Sequence, residues 1–426
     1  MNNIYLNSIN LLKDVHKKGL FHLLFSNGFI QITAFGAQLF VAWLLLPIDI
    51  GRLKIMQSYL GIFTVLAGFG INSSVLKLCS EKRTIQDKKY LFIKGLLYSL
   101  ISTLFIFIVL EILNIFNVFS TDLKVKDYFY FYSLIIIPMT INQIFIAFIQ
   151  AIKHFKIISK IQSSSKVLSV LLIIFLSYLY GVFGFIFATF IGFSITTIML
   201  IIYLRKKGYL SDISKVSDRP FSQHWQYSKF SVLANLSGQT NLYIFMILLN
   251  YLVPDRTEIG YYGFAMTLVM GLRIITTTIQ QVSSPFFSEK SENKQNSIIK
   301  YNYYNRILVI SSIIIGIFII LISPIIINFV FNSKYDNSIF IFQLLVTAWV
   351  IKNFYSLKGI VLWGFGLINI NFYNSLQTLI ISIIPTFFLI KYYNVIGAAY
   401  STILSNIIGY FIVSFYFKRF RKLNGI

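Results

Sequence analysis

The sequence predicts an all-α polytopic membrane protein with 12 transmembrane helices, arranged as two six-helix bundles in parallel repeat around a central cavity. Three observations carry that expectation: an apolar composition, regularly spaced apolar runs, and motifs that recur at about half the chain length. Of 426 residues, 57% are hydrophobic, 17% aromatic and only 12% charged, a balance outside that of soluble domains. The runs are about 20 residues long, enough for a helix to cross roughly 30 Å of hydrocarbon. An outer-membrane barrel would show ten-residue alternation instead.

In chain order the runs are 20–46, 54–77, 90–113, 127–150, 161–180 and 182–204, then 227–252, 260–284, 306–330, 338–363, 370–391 and 396–417. Only Gly181 separates the fifth from the sixth. Residues 1–19 lack the basic, apolar, small-residue order of a cleavable signal and read as an amphipathic segment on the cytoplasmic surface. The polar stretch 205–226, RKKGYLSDISKVSDRPFSQHWQ, reads as a cytoplasmic linker between an N-lobe (20–204) and a C-lobe (227–417), and 418–426 as a basic tail.

The repeat rests on three pairs of motifs. LPIDIG (46–51) and VPDRTEIG (253–260) each combine a proline, an acidic residue, isoleucine and glycine, with Asp49 and Glu258 separated by 209 positions. YGVFGFIFAT (180–189) matches YNVIGAAYST (393–402) at an offset of 213, and NGFIQ (27–31) matches NLSGQ (235–239) at 208. Six helices per half is an even number, so both halves enter the membrane in the same direction, related by an axis along its normal.

The net charge of +23 is mainly topological. Most of the excess lies in EKRTIQDKK (81–89), KHFKIISK (153–160), RKKGYL (205–210) and KRFRK (418–422). All four fall on one side when the runs alternate, which places both termini in the cytoplasm. Short, dispersed basic runs do not make a nucleic-acid stripe. One cysteine, Cys79, excludes an internal disulfide or a CxxC site, and the histidines His16, His22, His154 and His224 show no metal-ligand spacing. No P-loop or GxSxG is present.

Several stretches resemble the O-antigen flippase (Wzx) branch of the multidrug/oligosaccharidyl-lipid/polysaccharide (MOP) exporter superfamily. They are Pro47-x-Asp49-Ile50-Gly51, LAGFGINSSV (66–75), QAIKHFKIIS (150–159), FVFNSKYDNSIFIFQLL (329–345) and NVIGAAYSTILS (394–405). The resemblance implies a V-shaped pair of bundles in a bacterial inner membrane. Such a protein moves an undecaprenyl-pyrophosphate-linked oligosaccharide from the cytoplasmic to the periplasmic leaflet by alternating access. Polysaccharide polymerase and chain-length proteins are the implied partners, besides the bilayer itself. A multidrug antiporter of the same fold is the alternative, and a membrane-embedded polymerase a weaker one. No cofactor is expected, and a coupling ion, H+ or Na+, is left open.

Charge inside the bilayer costs roughly 2.5 to 3.5 kcal/mol per group on insertion scales, so retained charges face water or a partner. Arg273 lies thirteen residues past Gly260, about 20 Å along a helix, and Lys352 is similarly deep in the tenth run. Both are candidates to bind a pyrophosphate, as a guanidinium fork and an ammonium point charge. Lys358, nearer a helix end, can snorkel. Glu111 is interfacial. Arg52 and Lys54, beside the first glycine loop, are either interfacial anchors or the lip of a cationic cavity. Asn27, Gln31 and Gln38 form one helical stripe, Ser231, Asn235 and Gln239 another, and Arg273, Thr277 and Gln280 or Gln281 a third. These stripes read either as interhelical glue or, taken together, as a cavity lining. Gly51, Gly260, Gly68, Gly70 and Pro285 are candidate hinge and loop positions. No acidic residue lies near mid-membrane, which disfavours export of organic cations.

Overall fold

In the computed structural model, residues 20–211, 219–288, 294–365 and 367–423 are described. Residues 1–19, and with them the expected amphipathic segment, lie outside this set, as do the middle of the 205–226 linker and the last three residues of the tail. The described residues are helical throughout: α1 (Leu20–Leu44), α2 (Pro47–Gly68), α3 (Ile71–Ser80), α4 (Ile85–Ile115), α5 (Leu123–Ser133), α6 (Ile136–Ala151), α7 (Phe155–Lys206), α8 (Pro220–Leu252), α9 (Arg256–Ser288), α10 (Lys294–Phe331), α11 (Ile339–Gly364) and α12 (Ile368–Leu423). Nine of the spans they form are long and apolar enough to cross a membrane, or ten when the bent pair α2–α3 is taken as one. The all-helical polytopic class read from the sequence is borne out.

The element boundaries differ from the hydropathy runs for local reasons. α2 starts at Pro47, where a missing N–H and a fixed φ suit the first helical position, with Asp49 in the first turn favourable to the helix dipole. Arg52 and Lys54 therefore sit inside the helix rather than ahead of it. α2 and α3 meet at a 45° bend where Phe69 and Gly70 take φ of 48° and 63°. A Cβ on Gly70 would also meet the Ser228 carbonyl oxygen at 2.6 Å, so both conformation and close approach require glycine. The fourth run divides into α5 and α6 just ahead of Pro138, whose ring crowds the carbonyl four residues earlier.

α7 and α12, of 52 and 56 residues, each contain one non-helical residue. Gly181 has φ 59°, ψ −131° and Asn394 has φ 50°, ψ −130°. Three residues further on, a Cβ on Gly184 would overlap the Leu176 carbonyl and one on Gly397 the Leu389 carbonyl. Eight residues of straight helix span about 12 Å, so contact over that separation means the chain doubles back at a one-residue turn. Thr189 and Thr402 then donate to Phe185 and Ala398 carbonyls at 2.7 and 2.9 Å. The offset of 213 thus relates two copies of one backbone device.

The chain forms two compact units, Met1–Ala37 with Phe63–Val232, and Gln38–Ile62 with Leu233–Ile426. In the first, Val75, Phe92, Phe145, Phe148 and Leu200 build the core, with Phe92 and Phe148 stacked at 4.1 Å. Buried His224, from the start of α8, donates through Nε2 to the Leu91 carbonyl at 3.0 Å, which leaves Nδ1 to accept from Ser74 at 2.7 Å. The second unit has a core around Phe287, Leu308, Leu357, Val361 and Phe417 and, separately, an aromatic cluster in which Tyr335 stacks on Phe264 at 3.9 Å. Tyr335 and Lys334 donate to the Ala42 carbonyl at 3.0 and 3.3 Å, satisfying the C-terminal end of α1. Burial pushes the Lys334 ammonium pKa down, and Asp49 offsets part of that effect.

The two repeated glycine motifs, which form the first turns of α2 and α9 rather than loops, meet in this second unit. A Cβ on Gly51 would lie 2.9 Å from the Gly260 backbone nitrogen, and one on Gly260 would overlap the Pro47 carbonyl. The repeated glycines permit backbone-on-backbone packing that no larger residue allows.

Gly181→Ala should lower stability by about 1 to 3 kcal/mol, because alanine is strained at that φ, whereas Asn394→Gly should be neutral or stabilising by up to about 1 kcal/mol. Thermal unfolding of the detergent-purified variants checks both, and equal losses would refute the matched-turn reading.

Candidate functional site

The second unit encloses a cavity of about 470 Å³. Four helices position its lining. α9 supplies Tyr262 and Arg273; α11 supplies Trp349, Lys352 and Tyr355, spaced to share one face; α8 supplies Gln239 and Asn241; α12 supplies Asn374, Thr378, Thr402 and Asn406. Polar pins hold these helices together. Asn241 donates to the Ser375 carbonyl at 2.7 Å, joining α8 to α12. Asn406 donates to the Ala348 carbonyl at 2.9 Å and accepts from Tyr355 at 3.1 Å, joining α12 to α11. Trp349 Nε1 donates to Thr276 at 3.0 Å, and Thr276 to Asn353 at 2.9 Å, joining α11 to α9.

Two cations stand in this cavity. Lys352 is exposed to it and Arg273 is half-buried, and they are near enough to repel one another. No Asp or Glu lines the cavity, and among the described residues neither cation forms an ion pair. Like charges that repel without a counter-ion favour any anion that enters. The lining also leaves polar atoms unpaired: the side-chain oxygens of Gln239, Asn374 and Thr378 are buried without a hydrogen-bond partner, at about 1 to 3 kcal/mol each if nothing satisfies them. Among the described residues no cluster of His, Cys, Asp and Glu could hold a metal ion.

Of the residues singled out from the sequence, the cavity gathers Arg273, Lys352 and Gln239. The others are placed elsewhere. Arg52 pairs with Asp49 at 3.0 Å and is neutralised. Lys54 is buried and donates to Gln38 at 3.2 Å, its stem against Gly263. Lys358 donates to Ser414 at 2.7 Å and lies 4.6 Å from the Tyr410 ring. Thr277 donates to its own helix at the Ile274 carbonyl, 3.0 Å away. Asn235 is exposed, while Asn27 and Gln31 are half-buried on α1 in the first unit. Glu111 accepts a short hydrogen bond from Ser133. Gly68 has only Gln143 within reach of a Cβ, at 3.7 Å, and Pro285 falls within α9. Sequence reasoning missed Asn241, Tyr355, Asn374, Thr378 and Asn406. It also missed Lys166, a half-buried cation inside the fifth apolar run.

The site is thus a cationic, polar cavity among long apolar helices. The chain belongs to the polysaccharide biosynthesis protein family, whose profile matches residues 40–340. It is 22% identical over 426 residues, 97% of each chain, to an uncharacterized membrane protein of Methanocaldococcus jannaschii. Solved structures give the fold. One similar structure is the lipid II flippase MurJ in an inward closed conformation, at TM-score 0.76 and 18% identity over 93% of this chain and 87% of that one. Another is an inward-facing multidrug resistance MATE transporter of the MOP superfamily, at TM-score 0.74 and 15% identity over 93% and 96%. A third is a MOP superfamily transporter from Pyrococcus furiosus, described as having a binding pocket of reverse polarity, at TM-score 0.65 and 15% identity over 94% and 95%. The resemblance to polysaccharide flippases of the MOP superfamily is thereby borne out at the level of family and fold.

Thr276→Val removes the shared partner of Trp349 and Asn353 and should cost about 2 to 4 kcal/mol, with Thr276→Ser restoring most of it. Thermal unfolding checks the pair, and an unaffected valine variant would dismiss the pin between α9 and α11.

Proposed function

We propose that this protein is a flippase for a polyprenyl-pyrophosphate-linked oligosaccharide of the O-antigen or capsule type, moving it from the cytoplasmic to the periplasmic leaflet. The observation that carries this reading is the cation pair Arg273 and Lys352 in a cavity lined by no carboxylate. A guanidinium forks onto two phosphate oxygens while an ammonium supplies an adjustable point charge, so the pair suits a pyrophosphate better than a lone carboxylate. The membership in a polysaccharide biosynthesis family supports a sugar-bearing substrate. The apolar helices let a polyprenyl tail stay in lipid while the headgroup occupies the cavity.

In this reading the N-lobe and the C-lobe rock to expose the cavity first to one leaflet and then to the other. The cations bind the headgroup in both states, so they lower the cost of carrying a double negative charge through the bilayer rather than setting direction. The basic loops support the reading in which both termini lie in the cytoplasm, and the proposed substrate goes with a bacterial inner membrane. A cation-exporting multidrug protein of the same fold would need a negative group where this cavity is positive.

Arg273→Ala should reduce transport about 10- to 100-fold, the loss of a charge-assisted hydrogen bond, without reducing membrane insertion, and Arg273→Lys should recover part of it. Leaflet-resolved analysis of polyprenyl-linked sugars in a deletion strain carrying each variant is the test. Accumulation on the cytoplasmic side supports the flippase. Monomeric units on the outer side point to a polymerase, and raised dye sensitivity with normal lipid-linked sugars points to a drug exporter. Normal surface-polysaccharide assembly with Arg273→Ala removes that residue from the mechanism.

A further inference from the structure

The cavity has two chemically different walls. The α9–α11 wall is cationic, through Arg273 and Lys352. The α8–α12 wall is neutral: Gln239, Asn374 and Thr378 each hold a side-chain oxygen shielded from solvent and without a hydrogen-bond partner. Asn374 and Thr378 are four residues apart and share one face of α12. The bond from Asn241 to the Ser375 carbonyl, at 2.7 Å, ties the α8 segment carrying Gln239 to that same stretch.

These unpaired atoms constrain what can lie against them. All three are acceptors as they stand, and their groups can also donate, through the amide N–H of Gln239 and Asn374 and the hydroxyl of Thr378. Hydrocarbon on this wall would leave every one unpaired, and a second phosphate there could accept from the amide N–H groups and the hydroxyl but would offer no donor to the unpaired amide oxygens and would lie away from the cations. A ring carrying several hydroxyls supplies both donors and acceptors to two groups one helix turn apart on α12 and to a third on the α8 segment tied to them. The cavity, at about 470 Å³, is in the lower half of the roughly 300 to 1,000 Å³ range of small-ligand pockets. It suits a headgroup with a sugar ring beside its phosphates rather than a whole oligosaccharide.

We infer that the α8–α12 wall is a hydroxyl-recognition subsite, formed by Gln239, Asn374 and Thr378, for a glycosyl ring joined to the phosphate that Arg273 and Lys352 hold. It rests on the anionic-headgroup reading above and adds to it a contact that separates a glycosylated pyrophosphate from a bare one.

The test uses the full chain in nanodiscs and three probes: farnesyl pyrophosphate, and the same lipid carrying glucose or N-acetylglucosamine on its terminal phosphate. Isothermal titration should show at least one glycosylated probe binding on the order of tenfold more tightly than the bare one. The double variant Asn374→Ala/Thr378→Val, and separately Gln239→Leu on the opposite helix, should cut that ratio to below about threefold while leaving affinity for the bare probe within about twofold. Unchanged bare-probe binding also shows that the variants fold. Arg273→Ala should weaken all probes by a common factor. Equal wild-type affinities for bare and glycosylated probes, or variants that keep the full ratio, overturn the subsite and spare the anion reading. Unaltered binding of every probe to Arg273→Ala overturns both.

Discussion

Uncompensated positive charge inside an apolar bundle is the constraint on which the second unit depends. Each such group costs roughly 2.5 to 3.5 kcal/mol even on lenient insertion scales, and Arg273 and Lys352 add mutual repulsion. The chain does not relieve this with a carboxylate, although it does so at Arg52 with Asp49. It relieves it with space, a cavity whose walls are pinned by Asn241, Asn406 and the Trp349–Thr276–Asn353 relay. In the proposed reading, a cavity that keeps two repelling cations apart from acids, within walls fixed by hydrogen bonds, is preorganised for an anion.

The scaffold around it is built by repetition of backbone devices rather than of side chains. Gly181 and Asn394 share a conformation that glycine adopts readily and other residues seldom do, and the glycines three residues later allow the doubled-back helices to touch. Gly51 and Gly260 allow the first turns of α2 and α9 to pack backbone to backbone. These were legible in the sequence because glycine, proline and asparagine at matched positions mark geometry directly. What hydropathy does not reveal is the reversal itself: it marks the break in α7 by Gly181 alone, since a one-residue turn leaves no hydrophilic gap. It also misses the division between α5 and α6, where Pro138 interrupts hydrogen bonding without any change in polarity.

The site was legible in part, for a similar reason. Arg273, Lys352 and Gln239 stand out as charge or amide within apolar runs. Asn374, Thr378 and Asn406 do not, because a single amide or hydroxyl in a membrane helix reads equally as interhelical glue, and only tertiary packing decides which face meets a cavity. The same blindness to partners set Arg52, Lys54 and Lys358 beside the candidate binding residues. Their partners are Asp49, Gln38 and Ser414 with Tyr410; Ser414 lies 56 residues from Lys358, and nothing local in the sequence pairs a lysine with a serine that far away. Lys166 shows the converse: a cation at depth is visible in any careful inventory, but its neighbours are not.

The central claim is that an anion is held between Arg273 and Lys352. The most direct measurement is anomalous diffraction from crystals of the protein soaked in tungstate, with a parallel soak in rubidium. The account predicts a tungsten peak within hydrogen-bonding reach of both side chains and no rubidium in the cavity. A rubidium peak there, or tungsten bound only at surface lysines, would contradict it.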